Sequence, residues 1–280
     1  MNEHNTHDVA LITGASSGIG ATYADRLARR GFDLLLVARD QARLDDLAVQ
    51  LRRKTAVAVE VMKADLTVAT DLDRVAHRLA SDTAIAMLVN NAGMAASGPL
   101  AGADPRQLEA MICLNVVAVT RLAGAATTAF ASRGQGTVIN IASVLALAPE
   151  LFNGVYSATK AYVLNLTQAM QQELGKQGVR VQAVLPGATR TELWSRSGTD
   201  ISSLPPSMLM TVDEMVDAAL AGLDLGETVT IPSLPDAGEW EAYTAMRLNL
   251  APRLSLEHAA SRYAAPASSA ESLAAHGVST

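Results

Sequence analysis

Short apolar runs alternate along the chain with longer segments in which apolar residues recur every three or four positions. The first pattern is typical of buried strands and the second of amphipathic helices. The apolar runs predict seven strands, at 9–13, 33–39, 57–66, 84–93, 137–143, 179–187 and 228–232. The periodic segments predict a first helix that ends near Arg30 and further helices at 40–54, 70–82, 104–131, 155–176 and 211–223.

The order of these elements indicates the fold class. Apolar strands that alternate with amphipathic helices form a parallel sheet that is covered by helices on both faces. We therefore predict a doubly wound α/β fold with a seven-stranded parallel sheet in a single domain. In such a fold a ligand binds in the crevice outside the carboxyl ends of the strands, so functional residues are expected there.

Composition narrows the class of protein. Of the 280 residues, 49% are hydrophobic and 18% are charged, which is typical of a folded globular protein. The net charge of −6 and the scattered basic residues favour no nucleic-acid partner. The polar first ten residues lack the apolar segment of a signal peptide. No 18-residue apolar stretch is free of charges or turns, so no membrane segment is expected.

Cysteine and histidine usage bears on the compartment and on metals. Cys113 is the only cysteine, which excludes an intrachain disulfide and favours a reducing, cytoplasmic location. The five histidines show no spacing that is typical of metal ligands, so we predict that no metal is bound.

The stretch TGASSGIG (13–20) follows the first predicted strand and opens the first helix. Glycines at such a turn let the backbone approach a phosphate closely, and the helix N-terminus supplies N–H donors and the positive end of its dipole. An ordinary helix-entry turn would use similar residues, but the strand–turn–helix context favours nucleotide binding. The spacing is GxxxGxG, which differs from the GxGxxG of the standard dinucleotide fingerprint.

Tyr156 and Lys160 stand four residues apart near the start of a predicted helix. This spacing places both side chains on one face of the helix, one turn apart. Taken alone, the pair is compatible with an ordinary surface or half-buried position. The other motifs of the chain decide between that interpretation and a catalytic one.

Six motifs occur in a fixed order across about residues 8–235. They are TGASSGIG, the NNAG sequence at 90–93, Asn115 in the long helix, Ser143 at the end of the fifth strand, YSATK at 156–160, and Pro186-Gly187 followed by Thr189 and Thr191. In this order the chain resembles the short-chain dehydrogenase/reductase family, with its patterns TGxxxGxG, NNAG and YxxxK. The resemblance implies a Rossmann fold and an enzyme that depends on a nicotinamide cofactor.

The resemblance implies a catalytic set of Asn115, Ser143, Tyr156 and Lys160. Tyr156 would be the general acid/base that exchanges a proton with the substrate oxygen as a hydride moves to or from nicotinamide. A free phenol has a pKa of about 10, and Lys160 together with the positive charge of oxidised nicotinamide would lower it. Lys160 would also hold the ribose hydroxyls, and Ser143 would bind the substrate oxygen. Asn115 would hold a water that links Lys160 to solvent.

The resemblance also implies which residues bind the cofactor. Asp65 and Leu66 would contact the adenine ring, although Asp65 could also be an ordinary turn carboxylate. The backbone near Thr189 would meet the carboxamide, with Thr191 in support. The expected set is Gly14, Ser16, Ser17, Gly18, Ile19, Gly20, Arg39, Asp65, Leu66, Asn91, Ala92, Gly93, Tyr156, Lys160, Pro186, Gly187, Thr189 and Thr191.

The end of the second strand bears on the choice of cofactor. Relatives that prefer NAD carry an acid there, which accepts from the ribose 2′-hydroxyl and would repel a 2′-phosphate. Here Ala38 takes that place and Arg39 follows, and a guanidinium can bind a phosphate through two hydrogen bonds. We therefore expect NADP(H) to be favoured over NAD(H). Arg39 could instead be a solvated turn residue, and Asp40 could pair with it or reach the ribose.

Residues 188–210 are expected to form a loop over the substrate, because the family varies its specificity there. The residues that favour an uncharged, hydrophobic carbonyl or alcohol are Met94, Leu145, Leu151, Phe152 and Trp194. Each of them could equally belong to the core. Arg190 and Arg196 leave an anionic substrate open.

The expected organisation of the chain follows from the extent of the motifs. It comprises a disordered N-terminus at 1–7, a Rossmann domain at 8–235 that includes loop 188–210, an extension at 236–263 that packs near the substrate side, and a disordered tail at 264–280.

The two long helices also bear on assembly, because they form a subunit interface in related proteins. We expect a homodimer or homotetramer, since small residues allow two helices to approach closely, although the same residues could face the sheet. They are Ala118, Ala123, Gly124, Ala125, Ala126, Ala161 and Ala169.

The predicted function is that of an NADP(H)-dependent oxidoreductase acting on a carbonyl or secondary alcohol. One alternative is a nucleotide-binding regulatory protein without turnover, which typically lacks the tyrosine or the lysine, and both are present. Another is a methyltransferase on a similar sheet, which would require an acid at the end of the second strand and would not use YxxxK. Arg39 argues against it.

Overall fold

The computed structural model describes residues 8–198 and 200–263. The predictions of disorder at 1–7 and at 264–280 therefore lie outside the described residues. Thr199, within the predicted substrate loop, also lies outside them.

The described chain divides into two compact units, with the boundary after Ser233. The first unit holds the whole sheet and all the motifs of the sequence analysis. The second unit contains the helix Ala237–Leu248, whose N-terminus is capped by the Asp236 carboxylate. On this helix Trp240 stacks on Tyr243, with a distance of 5.3 Å between the ring centroids.

Seven strands form one parallel sheet, as the apolar runs predict. In chain order β1 to β7 they are Val9–Thr13, Asp33–Ala38, Val59–Lys63, Ile85–Asn90, Gly136–Ile141, Val179–Val184 and Val229–Thr230. Their order across the sheet is β3-β2-β1-β4-β5-β6-β7, and each neighbouring pair is parallel. The order reverses between β1 and β4, which is where a doubly wound sheet opens its ligand crevice. The predicted fold class is confirmed.

Several strands end earlier than the apolar runs suggest. β4 ends at Asn90 rather than at residue 93, and β6 ends at Val184 rather than at residue 187. The residues beyond these ends leave the hydrogen-bond ladder and form the loops at the carboxyl edge of the sheet. β7 has only two residues, because it pairs with Ala183 and Val184 of β6 alone.

The described residues form nine α-helices. In chain order α1 to α9 they are Gly18–Arg29, Gln41–Lys54, Ala69–Ser81, Pro105–Ile112, Val119–Arg133, Gly154–Leu174, Leu193–Ser197, Val212–Asp224 and Ala237–Leu248. Helices α1, α2 and α8 share one core layer with the sheet, and α3, α5 and α6 share the other. Alternate residues of a strand serve the two layers, so Ala10 and Ile12 of β1 lie in the first and Leu11 in the second.

The long helix that was expected over 104–131 is present as one helical stretch, Pro105–Arg133. Within this stretch α4 ends at Ile112, a π-helical segment spans Cys113–Ala118, and α5 begins at Val119. A π turn closes its hydrogen bonds over five residues rather than four, and such segments occur frequently at functional sites. Asn115 lies within this one.

The stretch Pro105–Arg133 departs from the expectation that no segment is apolar enough for a membrane. An 18-residue window of this stretch has a mean hydropathy of 1.6, so by length and composition alone the helix could cross a membrane. In the described fold 39% of that window is buried, and Leu122, Ala126 and Phe130 of the stretch pack into the second core layer.

Candidate active site

Tyr156 and Lys160 lie in the first two turns of α6, both buried, at 7% and 6% exposure. The Asn153 side chain caps this helix by accepting from the Tyr156 N–H at 2.9 Å, and it also donates to Gly98 O at 2.8 Å. The four-residue spacing puts both side chains on one helix face, as predicted. The Lys160 Nζ atom lies 5.7 Å from the centroid of the Tyr156 ring.

Ser143 brings a second hydroxyl to Tyr156. It follows β5 and begins the 3₁₀ turn Val144–Ala146, where its Oγ accepts from the Leu145 N–H at 3.2 Å. Its hydroxyl also lies 3.5 Å from Pro186 O, to which it donates. The Ser143 side chain is close enough to the Tyr156 hydroxyl to lower the pKa of that phenol. Two hydroxyl groups thus lie near each other, an arrangement that can bind a carbonyl oxygen and exchange a proton with it.

Burial controls the ionisation of this pair. Burial raises the pKa of Tyr156 to about 12, and the nearby Ser143 side chain opposes this rise only in part. Lys160 and oxidised nicotinamide together were expected to lower the pKa of Tyr156, whereas burial in the protein alone raises it. Burial likewise lowers the pKa of Lys160 to about 8, because an ammonium is poorly solvated there.

Lys160 retains donors for a ligand. Its Nζ donates to Ile141 O at 2.8 Å, which uses one of the three N–H bonds of an ammonium. A buried ammonium with unused donors matches the role of binding ribose hydroxyls that the sequence predicts for Lys160.

Asn115 connects three elements. Its Nδ2 donates to Met94 O at 2.8 Å and to Thr159 Oγ1 at 3.0 Å, and its Oδ1 accepts from the Met94 N–H at 2.9 Å. The side chain therefore clamps the loop after β4 to α6. These protein contacts occupy both amide protons, so the expected water could use only the remaining acceptor capacity of Oδ1.

The glycine-rich loop packs closely on the NNAG loop. Gly14 and Gly18 adopt positive φ angles of 65° and 53°, which an L side chain rarely tolerates. A Cβ on Gly20 would lie 2.4 Å from Gly14 O and 2.6 Å from Asn91 Nδ2. The Asn91 amide in turn donates to Thr13 O at 2.9 Å and to Gly14 O at 3.2 Å. The sequence thus requires glycine where the two loops meet.

The N-terminus of α1 offers donors to an anion. The first N–H groups of a helix have no partner within the helix. Ser17 is the N-cap residue, and its side chain makes no capping hydrogen bond within the described part of the chain. Ser16 and Ser17 face a shallow depression, whereas Ile19 packs on the first core layer. These donors fit the diphosphate of a dinucleotide.

The NNAG loop lies between the glycine loop and the catalytic residues. The N–H groups of Asn91 and Ala92 both donate to Thr13 Oγ1, each at 3.0 Å. A Cβ on Gly93 would lie 3.3 Å from Asn115 Oδ1 and 3.6 Å from Lys160 Nζ. Gly93 therefore leaves room beside Lys160.

Arg39 and Asp65 meet at the ends of β2 and β3. Arg39 is 71% exposed, and its Nη1 lies 3.9 Å from Asp65 Oδ2. Asp65 Oδ1 accepts from the Thr67 N–H at 3.0 Å and from its hydroxyl at 2.7 Å. Partial burial opposes ionisation of Asp65, but the bonds from Thr67 and the charge of Arg39 lower its pKa overall. Leu66 is buried in the second core layer.

Asp40 was considered as a partner of Arg39 or of the ribose, but in the structure it contacts Arg43. It is the N-cap residue of α2, where Oδ1 accepts from the Arg43 N–H at 3.1 Å, and its Oδ2 lies 3.5 Å from Arg43 Nε. Arg43 also donates to Glu192, at 2.8 Å for the shorter contact. The guanidinium of Arg39 is thus left beside Asp65 at the crevice.

The segment after β6 reaches both the serine and the glycine loop. Pro186 O accepts from the Val144 N–H at 3.0 Å, and Gly187 O accepts from the Thr189 hydroxyl at 3.1 Å. The Thr191 side chain would lie 3.4 Å from a Cβ on Gly18. This contact brings the predicted nicotinamide segment to the predicted diphosphate loop.

The predicted substrate contacts separate into two groups. Met94, Leu145 and Phe152 are half-buried around Tyr156, whereas Leu151 is 70% exposed. Trp194 contacts Phe152 edge to face. The Arg190 side chain is exposed, and the Arg196 side chain lies outside the described set.

Sequence reasoning missed some residues that hold the site together. Thr13, Asn153 and Thr159 bind the NNAG loop, the start of α6 and Asn115, respectively. Thr13 opens the glycine motif and Thr159 lies inside YSATK, so their positions within motifs were a signal. Among the described residues, no group of three or more His, Cys, Asp or Glu side chains could hold a metal ion.

Comparisons with known proteins identify the family of this chain. The profile of the short chain dehydrogenase family matches residues 8–202. A short-chain dehydrogenase from Sphingobium yanoikuyae, solved in complex with NADPH, is 51% identical, with a TM-score of 0.89 over 92% of this chain and 100% of that one. A bulky-bulky ketone specific alcohol dehydrogenase from Comamonas testosteroni is 47% identical, with a TM-score of 0.85 over 92% and 99%. Human 17-beta-hydroxysteroid dehydrogenase type 3 is 30% identical over 78% of this chain and 68% of its own.

Proposed function

Since the chain belongs to the short-chain dehydrogenase/reductase family, we propose that it is an NADP(H)-dependent oxidoreductase that interconverts a carbonyl and a secondary alcohol, with Tyr156 as general acid/base. The observation that carries this proposal is the placement of the Ser143 and Tyr156 hydroxyls near each other, with the Lys160 Nζ atom 5.7 Å from the centroid of the tyrosine ring. They lie at the carboxyl edge of the sheet, where the fold binds its ligands.

When bound, the cofactor supplies the hydride or accepts it. The N–H groups at the start of α1 would hold its diphosphate, and the remaining donors of Lys160 would hold its ribose hydroxyls. Ser143 orients the carbonyl oxygen, and Tyr156 gives that oxygen a proton during reduction and takes it back during oxidation. Asn115 keeps the loop after β4 against α6, so that Gly93 stays beside Lys160.

Three observations support NADP(H) over NAD(H). Arg39 stands exposed at the end of β2, and Ala38 replaces the acid that would repel a 2′-phosphate. Asp40 is engaged as a helix cap, which removes the competing carboxylate that was considered for the ribose. The Sphingobium relative was solved with NADPH.

We expect Arg39→Ala to weaken NADPH binding by about 10- to 100-fold, because a charge-assisted contact to phosphate is lost. NADH has no 2′-phosphate, so its Kd is expected to change by about twofold or less. Fluorescence titrations of the purified protein with each cofactor measure both values without a known substrate.

The control is Arg53→Ala, an exposed arginine near the far end of α2, which is expected to change neither Kd. Equal losses of affinity for NADPH and NADH in Arg39→Ala would show that Arg39 does not bind the 2′-phosphate. Binding of neither cofactor by the wild-type protein would overturn the proposed function.

We propose an uncharged, hydrophobic ketone or secondary alcohol as the substrate class. The apolar cluster that contains Tyr156 includes the half-buried side chains of Met94, Leu145 and Phe152. The Comamonas relative is specific for bulky-bulky ketones, which supports this substrate class.

We propose that the protein assembles as a homodimer or homotetramer. We also propose that it is a cytoplasmic enzyme. Three of the small residues are buried in the core, namely Ala118, Ala123 and Ala126. This agrees with the alternative that small residues of these helices face the sheet. Ile112 and Val117 are exposed apolar residues on the outer face of the same helical stretch, and they support an interface there. Light scattering in solution tests this proposal, and a monomer at micromolar concentration would contradict it.

A further inference from the structure

Two aromatic rings extend from the catalytic tyrosine toward the substrate loop. The Phe152 ring lies 5.8 Å from the Tyr156 ring, with 82° between the ring planes. On its other side it lies 6.2 Å from the Trp194 ring, at 79°. Both contacts are edge-to-face, which is a favourable arrangement for aromatic pairs. The three rings form a continuous row of aromatic contacts that includes the ring of Tyr156.

Hydrogen bonds fix the Trp194 ring and the residue that follows Phe152. The Trp194 Nε1–H donates to Thr189 O at 2.7 Å, and Thr189 is itself buried and bridged to Met210. Phe152 precedes Asn153, which is bound to the start of α6 and to Gly98 O. Rings with such anchors keep their positions when a ligand binds, so they can select its shape.

Phe152 is also only half-buried, although it packs in the apolar cluster around Tyr156. A partly exposed aromatic ring beside a reacting group offers apolar surface to a substrate. Packing against the Phe152 ring involves no charge and no hydrogen bond. It therefore stabilises a bound substrate that carries a ring, and it does not stabilise a small or anionic group.

We propose that Phe152 and Trp194 form an aromatic wall that determines specificity, by packing against a ring substituent of the ketone while its carbonyl oxygen meets Ser143 and Tyr156. The preferred substrates are then aryl or cyclic ketones rather than small alkyl ketones or keto acids. This inference rests on the proposed function, because it concerns the same reaction at the same site.

The test compares three probes in NADPH-dependent reduction: propiophenone, butan-2-one and 2-oxobutanoate. The wild-type protein is expected to show its highest kcat/KM with propiophenone. Phe152→Ala is expected to lower kcat/KM for propiophenone by about 10- to 100-fold, mainly through KM, and that for butan-2-one by about threefold or less. Trp194→Phe keeps a ring but loses the bond to Thr189 O, and an intermediate loss for propiophenone is expected.

Leu225→Ala, at an exposed residue after α8, is the control and is expected to leave all three values unchanged. The NADPH Kd of Phe152→Ala separates the two hypotheses, since it is expected to stay at the wild-type value. Equal losses for both ketones, no loss for propiophenone, or a wild-type preference for butan-2-one or 2-oxobutanoate would overturn the aromatic wall while leaving the reductase proposal intact. If the protein binds NADPH but reduces none of the probes, the aromatic-wall proposal is overturned. The proposed role of Tyr156 as general acid/base is then contradicted as well.

Discussion

Turnover is expected to fall by about a thousandfold or more when Tyr156 is replaced by phenylalanine, within the range found for loss of a positioned general acid. The variant keeps the aromatic ring and its contact with Phe152, and it loses only the hydroxyl that lies near Ser143. That hydroxyl is the proposed proton donor to the carbonyl oxygen. The binding of NADPH is expected to change by about threefold or less, because the proposed contacts to the diphosphate and the 2′-phosphate lie elsewhere.

Single-turnover and steady-state rates with a ketone, together with a cofactor titration, measure both quantities. Tyr162→Phe is the matched control, because it removes a hydroxyl from the same helix that bonds to Thr120 on the exposed face. Turnover above a few per cent in Tyr156→Phe would overturn the role assigned to the tyrosine. Full biological activity without turnover would favour the regulatory alternative.

A second large effect is expected at Lys160, where methionine keeps the length of the side chain and removes its charge. Turnover is expected to fall by about 10²- to 10³-fold, because the ammonium no longer supports the proton exchange of Tyr156. In the wild-type protein burial lowers the pKa of Lys160 to about 8, so kcat/KM for reduction is expected to decline as the pH rises through that value. Rates between pH 6 and 10 measure this decline. A profile that stays flat across this range would contradict the assignment.

The same variant is expected to be more stable than the wild-type protein at neutral pH. The unfolded chain binds the Lys160 proton with the ordinary pKa of 10.5, and the folded chain binds it with a pKa of about 8. Protonation therefore favours unfolding, fully below about pH 8, and the penalty disappears as the pH rises toward 10.5. Lys160→Met removes the buried charge and is expected to raise the free energy of unfolding by about 1–3 kcal/mol at pH 7.

Denaturant unfolding at pH 7 and at pH 10 measures this gain, which is expected to shrink at the higher pH. Lys176→Met, at an exposed lysine just after α6, is expected to affect neither stability nor turnover. A Lys160→Met protein less stable than wild type at pH 7 would show that the bond from Nζ to Ile141 O outweighs the cost of burying the charge.

The sequence by itself determined those features that depend on neighbours along the chain. Apolar runs and helical periodicity follow from the geometry of a strand and of a helix, so the layers of the fold were predictable. Tyr156 and Lys160 share a face because four residues make about one helical turn. Gly14 and Gly18 were identified because a tight turn between strand and helix needs positive φ angles.

Only the tertiary structure decided which distant groups meet. Ser143 and Tyr156, or Asn115 and Met94, come together through the packing of separate elements, and no local pattern encodes these contacts. The tertiary arrangement also determines which charged side chains pair. Asp40 caps α2 and contacts Arg43, and Arg39 therefore lies beside Asp65. The pKa of Lys160 depends likewise on burial by the whole fold, because desolvation is set by every atom that excludes water from the site and not by the residues adjacent in sequence.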